Sequence, residues 1–239
     1  MRSFISYDGP LITLLSRFWN CVWLTVLFAL CSIPVVTMGM SYSALYFTLR
    51  KTMRNERDYV TPTFFKAFVS NWRQGLAAGA IFLGVGVLLF LDYHILRGLT
   101  AAGLAAGGFS VAVLAAGYLL LLYALWVFAY LSRFQDRLGT VFRNSALLAV
   151  SNGGKTVLAG LILALAGLIC YMEPILTALL PSVAVWLISG MLEKAFRASM
   201  SPEQLAADDA ENSAWTEAAR ERRERRKKAR EERRARKLL

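Results

Sequence analysis

Residues 109–131 read FSVAVLAAGYLLLLYALWVFAYL, a stretch without one charged side chain. A bilayer core about 30 Å thick takes roughly 20 apolar residues as an α-helix. A helix on the surface of a soluble bundle would show a polar stripe about every three to four residues, and residues 118–131 show none. Since backbone groups in lipid must be paired within their own segment, the stretch predicts a transmembrane helix.

Four other runs of the chain share this character. We predict spans at about residues 18–36, 75–96, 109–131, 156–172 and 174–192. Glu173 and Pro174 separate the last two spans and predict a tight turn between antiparallel helices. Pro181 is expected to kink the last span. The expected fold is all-α, a polytopic transmembrane helical bundle of about five spans in residues 1–198, followed by a basic tail over residues 199–239.

The distribution of Lys and Arg predicts the orientation of this bundle. The first loop holds six, the third loop four and the tail fourteen, whereas the N-terminal arm holds two, the second loop one and the fourth loop none. Alternate segments therefore total 24 and 3. Because positive residues stay on the cytoplasmic side, we expect a multi-pass protein of the cell membrane with its N-terminus outside and its C-terminus in the cytoplasm.

The composition agrees with a membrane domain that carries a polar appendage. Hydrophobic residues make up 56% of the chain, against roughly 45–50% in soluble domains. The net charge of +11 comes from residues that flank apolar spans, which favours anionic lipid headgroups over nucleic acid as the contact. The three cysteines, Cys21, Cys31 and Cys170, lie inside apolar runs without CxxC spacing, which argues against a disulfide framework or a zinc site.

The first loop carries two candidate helices. Residues 41–54, SYSALYFTLRKTMR, predict a helix that leaves the membrane. Thr61 and Pro62 predict the start of a second helix, with an N-cap followed by proline at the first helical position. Four aromatic side chains are expected on one face of that second helix: Phe64, Phe65, Phe68 and Trp72. This face predicts either an amphipathic helix in the inner headgroup region or packing of the aromatics against the other helix of the loop.

The tail predicts a long charged helix. Ser201, Pro202 and Gln204 form a capping-box pattern at its start. From Ala218 onward the tail carries twelve basic and four acidic residues. These charges predict attraction to anionic lipid, or to RNA as a less favoured partner; alternatively, the tail only fixes topology and solubility.

The motifs of catalysis are missing from the sequence. GxSxG, HExxH, Walker A and a GxGxxG after a strand do not occur, so we expect no catalytic, cofactor-binding or metal-binding residues and no enzyme activity. One polar cluster, Asp92, His94 and Arg97, lies at the outer end of the second span. It is a candidate for anion binding or proton relay, with interfacial anchoring as the alternative.

Other side chains suggest helix contacts and a transport path. The pairs Gly75/Gly79 and Gly103/Gly107 have the GxxxG spacing that lets helix backbones approach closely in lipid. A small-solute transporter or channel would use Asn20, Thr25, Ser32 and the break at Pro181 to line a polar path through the membrane.

A group of motifs in residues 10–75 resembles the YesL-like family, bacterial multi-pass membrane proteins classed as a domain of unknown function. The matching positions are Pro34-Val35-Val36-Thr37-Met38-Gly39, Ala44-Leu45-Tyr46, Arg50-Lys51, Arg54, Tyr59-Val60, Phe64-Phe65, Phe68 and Asn71. Beyond them the likeness extends to about residue 195 in length and hydropathy. The sequence departs from the family pattern at Met38 and Met40.

The resemblance carries expectations about function. It implies no established catalytic residues, and it implies an accessory role beside sugar-transporter subunits in the carbohydrate uptake and utilisation systems of Gram-positive bacteria. The positions expected to form a structural or interaction motif are Pro34, Thr37, Gly39, Tyr46, Phe64, Phe65, Phe68 and Trp72.

Overall fold

The computed structural model describes residues 10–54, 60–70, 72–103, 107–134 and 136–235, and these residues form nine α-helices. The helices are α1 (Pro10–Cys31), α2 (Met38–Arg54), α3 (Val60–Ser70), α4 (Trp72–Ala101), α5 (Gly107–Leu131), α6 (Leu138–Ser151), α7 (Gly153–Met172), α8 (Leu180–Ala198) and α9 (Pro202–Ala235). Short 3-10 turns occupy Val35–Thr37 and Pro174–Ala178. The described residues include no strand, so the prediction of an all-α fold is confirmed. Two positions of the family resemblance, Tyr59 and Asn71, lie outside them.

Three of the helices are long and apolar enough to cross a membrane: α4 with 30 residues, α5 with 25 and α7 with 20. Much of their apolar surface faces outward, including Leu88, Phe90, Leu119 and Leu161. In water, each square ångström of such surface would cost about 25 cal/mol relative to burial. Lipid removes this cost, which explains why a stable protein can leave these side chains uncovered.

The predicted first and fifth spans take other forms. The predicted first span falls within α1 and ends earlier than residue 36, because the chain turns immediately after Cys31. The predicted turn at Glu173 and Pro174 is present, but the chain then forms a 3-10 turn, and α8 begins only at Leu180. Pro181 therefore lies in the first turn of α8, where its missing N–H loses no helical hydrogen bond, and not in the middle of a helix.

The helix that was expected to leave the membrane, α2, is instead the centre of the bundle. It packs against α1, α3, α4, α5 and α8, and Ala44, Leu45 and Leu49 are completely buried. Its hydroxyl groups do not oppose this burial, because they bond within the helix. Ser41 Oγ donates to the Thr37 carbonyl at 3.1 Å, and Thr48 Oγ1 donates to the Ala44 carbonyl at 2.7 Å.

The segment between α1 and α2 makes a bend that depends on close packing. Thr37 Oγ1 donates to the Cys31 carbonyl oxygen at 2.6 Å and to the Pro34 carbonyl oxygen at 2.7 Å. Gly39 lies against the ring of Phe128 with no room for a Cβ atom. The PVVTMG motif is therefore a tightly packed corner in which the Thr37 hydroxyl group satisfies the carbonyl of Cys31, which the end of α1 leaves open.

The predicted glycine contact at Gly75 and Gly79 is confirmed. A Cβ atom added at Gly75 would lie 2.6 Å from Cγ of Met40, and one added at Gly79 would lie 2.5 Å from the carbonyl oxygen of Val36. At the other GxxxG pair, Gly103 has a φ of +86° after the end of α4, and no described atom lies within 4 Å of a Cβ built there. Gly103 thus permits a turn of the backbone and not a helix contact.

The four aromatic side chains of the first loop do not share one face. Phe64 is completely buried, and Phe68 stacks on it with ring centroids 6.3 Å apart. Phe65 points outward, and Trp72 belongs to α4, since α3 ends at Ser70. Because α3 packs chiefly against α2, the structure favours the packing alternative for Phe64 and Phe68. Phe65 remains available to lipid or to a partner.

We expect Gly79→Ala to lower the thermal stability of the full-length protein in detergent. The added methyl group would meet the Val36 carbonyl, and overpacking of this kind costs about 1–3 kcal/mol. Gly84→Ala is the matched control, because it lies in the same helix with no described atom within 4 Å of its Cβ position. There the better helix propensity of alanine should maintain or raise the melting temperature. Equal stabilisation by both substitutions would contradict the close approach of α4 to the bend.

Candidate functional site

One end of the bundle holds a group of charged side chains that we call the ionic cluster. The end of α2, the turn after α5, the end of α8 and the first turns of α9 each contribute to it. Its members are Arg50, Lys51, Arg133, Glu193, Arg197, Asp208, Asp209 and Glu211. The cluster therefore connects the helical bundle to the start of the tail helix.

Glu193 lies at the centre of the ionic cluster and is only 6% exposed. Its Oε1 atom lies 3.4 Å from Nη1 of Arg50 and also pairs with Nη1 of Arg133. A carboxylate in this position needs cationic partners, because an isolated buried charge costs several kcal/mol. Two guanidinium groups supply that compensation, one from α2 and one from the turn that follows α5.

Asp208 of the tail helix forms the second centre of the cluster. Its Oδ2 atom lies 2.9 Å from Nη2 of Arg133 and 3.1 Å from Nη1 of Arg197, and its Oδ1 atom lies 3.6 Å from Nη1 of Arg50. Arg197 also pairs with Asp209 at 2.8 Å. The first turns of α9 are thus held to the bundle by ion pairs to three different segments of the chain.

Arg133 is subject to opposing electrostatic effects. Burial lowers the pKa of its guanidinium, and the neighbouring positive charge of Arg50 lowers that pKa further. Asp208 acts in the opposite direction through its charge and its hydrogen bond. Since arginine does not lose its proton in proteins, the conflict is met by pairing, which explains why two carboxylates converge on this residue.

A cavity of about 300 Å³ lies beside the ionic cluster, between α2, α3, the end of α5 and α9. Four cationic side chains line it, and they are Arg50, Lys51, Lys66 and Arg133. Hydroxyl groups of Ser43, Thr63, Ser70 and Ser132 also line it, with Glu211 as the one lining carboxylate among the described residues. Glu211 forms an ion pair with Nζ of Lys51. The composition of this wall is suited to a negatively charged group.

The structure distributes the predicted motif residues among separate places. Pro34, Thr37 and Gly39 form the corner between α1 and α2. Tyr46 is buried and lies close enough to Arg50 and Arg133 to interact electrostatically with their charges. Its hydroxyl has no hydrogen-bond partner among the described residues. Of the predicted motif, only Tyr46 therefore adjoins the ionic cluster.

The predicted polar cluster lies on the exposed second half of α4. Arg97 Nη1 lies 3.3 Å from the hydroxyl oxygen of Tyr93, and the ring of His94 lies 4.4 Å from that of Phe90. Asp92 is exposed on the same helix. These contacts run along α4 and do not join Asp92, His94 and Arg97 to one another, so their joint role stays a prediction. Within the described ranges, no group of three or more His, Cys, Asp or Glu side chains is placed to hold a metal ion.

Sequence reasoning missed the ionic cluster itself. Arg133 was used only as a charge that indicates orientation, Arg50 only for orientation and for the family resemblance, and the acidic residues were not singled out. Two signals were available: Glu193 interrupts the end of an apolar helix, and Asp208, Asp209 and Glu211 place acidic charge before the basic part of the tail. Neither signal identifies partners, because the partners are 11 to 160 residues away in the chain.

Comparison with protein families identifies the first part of the chain. Residues 18–93 match the model of a family described as a protein of unknown function, DUF624. This part of the chain is similar to DUF624 domains. The match confirms the resemblance to the YesL-like family, and it extends from the apolar part of α1 through most of α4. No curated protein and no solved structure matches the chain.

The DUF624 match covers only part of the candidate site. Arg50, Lys51 and Lys66 lie within it, whereas Arg133, Glu193 and all of α9 lie beyond it. Three of the four cationic side chains of the cavity wall therefore lie in the segment that matches DUF624, and the carboxylates that neutralise this wall come from later segments of the chain.

We expect Glu193→Gln to destabilise the protein strongly. Loss of the central carboxylate leaves the like charges of Arg50 and Arg133 to share Asp208 in a buried position, and removing one partner of a buried pair costs about 3–5 kcal/mol. The control is Glu221→Gln, which removes an exposed carboxylate 3.9 Å from Arg225 and should leave the melting temperature almost unchanged. Melting of the purified full-length protein in detergent measures both. A Glu193→Gln protein as stable as the control would show that the cluster does not hold the bundle together.

Proposed function

We propose that this protein is a non-enzymatic accessory component of the bacterial cell membrane that serves a carbohydrate-uptake system, with its C-terminus in the cytoplasm. The apolar helices and the DUF624 domain support the membrane location. The carbohydrate link and the sugar-transporter partner rest on the family resemblance. The observation that carries the accessory role is the attachment of α9 to the bundle.

The attachment gives the tail a defined position. The tail helix has 34 residues, so at 1.5 Å per residue it is about 50 Å long. Its start is capped as the sequence predicted, with Gln204 N 3.3 Å from Ser201 Oγ and Ser201 N 3.1 Å from Gln204 Oε1. Its acidic first turns are bound to the bundle, whereas Arg220, Arg225 and Lys228 are exposed farther along. A helix held at one end and basic at the other offers a partner a surface in a fixed place.

The ionic cluster also supports the proposed orientation. It brings together Arg50 of the first loop, Arg133 of the third loop and Asp208 of the tail, three segments that the charge distribution assigns to the cytoplasm. Segments that contact one another lie on the same side of a membrane. Together with the excess of Lys and Arg in those segments, this contact favours a cytoplasmic C-terminus.

A small-solute transporter or channel is less well supported by the geometry. Thr25 Oγ1 and Ser182 Oγ are both buried and lie 2.7 Å apart, joining α1 to α8. Thr25 Oγ1 also donates to the Cys21 carbonyl oxygen at 3.1 Å. These hydroxyl groups therefore satisfy each other and the backbone, and they do not support a water-filled path. Pro181 lies at the start of α8 and opens no break within it.

A membrane adaptor that binds anionic lipid through the tail is the second candidate. The exposed basic residues of α9 favour it, because each basic side chain near an anionic surface contributes about 1 kcal/mol. RNA is the alternative polyanion for the same residues. This role is compatible with an accessory function, since α9 provides the surface for both.

The accessory role predicts recovery of sugar-transporter subunits with the tagged full-length protein after extraction in mild detergent. A chain ending at Met200, which lacks α9, should recover fewer of them, and a strain without the protein should take up less sugar. Subunits are measured by mass spectrometry and uptake with labelled sugar. Recovery of no transporter subunit, together with normal uptake in the deletion strain, would overturn the proposal.

The adaptor role predicts salt-sensitive binding of the full-length protein, held in zwitterionic nanodiscs, to vesicles that contain phosphatidylglycerol. A chain ending at Glu217 retains Asp208, Asp209 and Glu211 but loses the twelve basic residues that follow Ala218. Vesicle binding should be largely lost in this chain and should weaken at high salt in the full-length protein. Equal flotation of both proteins with the vesicles would exclude the tail as the lipid-binding element.

A further inference from the structure

We propose that the cavity between α2, α3 and α9 binds the phosphate group of a small molecule, and that Glu211 of α9 occupies its cationic wall in the absence of this ligand. The proposal concerns the purified protein alone and does not rest on a sugar-transporter partner.

The charge of the cavity wall favours binding of an anion. Four cationic side chains face one carboxylate, and two of the four, Lys51 and Arg133, have side chains that are only 4% and 3% exposed. Ionic attraction is stronger where water is excluded, so a bound anion would be held more firmly here than on an open surface. Guanidinium groups present parallel N–H donors that fit the oxygens of phosphate, and lysine adds a compact positive charge.

The tail helix supplies the present partners of these cations. Asp208 and Glu211 lie three positions apart in α9 and so share one side of it. Asp208 pairs with Arg50 and Arg133, and Glu211 pairs with Lys51. Without these two carboxylates, Arg50 and Arg133 would keep their pairs with Glu193, and Lys51 would lose its ion pair with Glu211. The tail thus supplies carboxylates where an anionic ligand would otherwise bind.

The two carboxylates differ in how firmly they are held. Asp208 is almost completely buried and has three arginine partners. Glu211 has a side chain that is 57% exposed, so water competes for its ion pair with Lys51. A ligand can therefore displace Glu211 while Asp208 keeps α9 attached to the bundle.

The donors and the size of the cavity fit a phosphate group. Arg133 lines the cavity, and its buried Nε atom has no hydrogen-bond partner within the described part of the chain. The hydroxyl groups of Ser43 and Thr63 add uncharged donors to the wall. A volume of about 300 Å³ corresponds to about ten water molecules and to the small end of known ligand pockets. It accommodates phosphate with a small attached group.

The test uses the full-length protein in detergent, with inorganic phosphate titrated against chloride at constant ionic strength. We expect a saturable rise in melting temperature. Glu211→Gln should lower the apparent Kd about two- to fivefold, because it removes an exposed competing carboxylate. Lys66→Gln should raise the Kd; this exposed lysine lies outside the buried ion pairs, so the variant should fold normally.

The matched control is Glu217→Gln, which makes the same charge change in α9 at an exposed position away from the lining residues. It should leave the Kd unchanged. A parallel series in nanodiscs compares phosphatidylglycerol with zwitterionic lipid. Stabilisation by phosphatidylglycerol alone that is lost in Lys66→Gln would identify a lipid headgroup as the source of the phosphate and would support the site.

Two outcomes would overturn the proposal. One is the absence of stabilisation by phosphate and by phosphatidylglycerol in both the wild type and Glu211→Gln. The other is an equal effect of Glu211→Gln and Glu217→Gln, which would show a response to net charge and not to the cavity. Both outcomes are distinguishable from failure of the accessory role, since they are measured without any transporter present.

Discussion

The ion pairs of Glu193 with Arg50 and Arg133 are the constraint on which the arrangement of this protein depends. A carboxylate at the buried end of α8 is tolerated only if cations reach it, and α2 and the turn after α5 provide them. The ends of three helices must therefore meet at one place. Asp208 then joins the same arginines and brings the tail helix to this end of the bundle.

The central position of α2 follows from the same balance between polar groups and burial. Its first two-thirds pack small and aromatic side chains against five other helices, while Ser41 and Thr48 bond to its own backbone. Its last turn carries Arg50 and Lys51, which need anionic partners and obtain them from α8 and α9. One helix thus joins the apolar core to the charged end of the molecule. The glycines at the neighbouring corner allow α4 to approach this helix closely.

The cavity is a consequence of how these helices end. Arginines that are already held by Glu193 and Asp208 are oriented in advance, so a ligand that reaches the cavity would not have to order them. Lys51 and Lys66, from different helices, complete the wall. The tail helix covers it with a single exposed carboxylate, Glu211. The basic tail therefore begins with an acidic segment that forms ion pairs with the bundle.

The sequence by itself determined the all-α class, the three apolar helices α4, α5 and α7, the turn at Glu173, the cap of α9 and the contact at Gly75 and Gly79. Each of these follows from hydropathy, capping chemistry or side-chain size within a short segment. Only the tertiary structure decided that α2 is buried, that Trp72 leaves the aromatic group of α3, and that Glu193 and Asp208 meet Arg133. The physical reason is that burial and ion pairing depend on partners distant in the chain, and no local pattern identifies which helix will cover which.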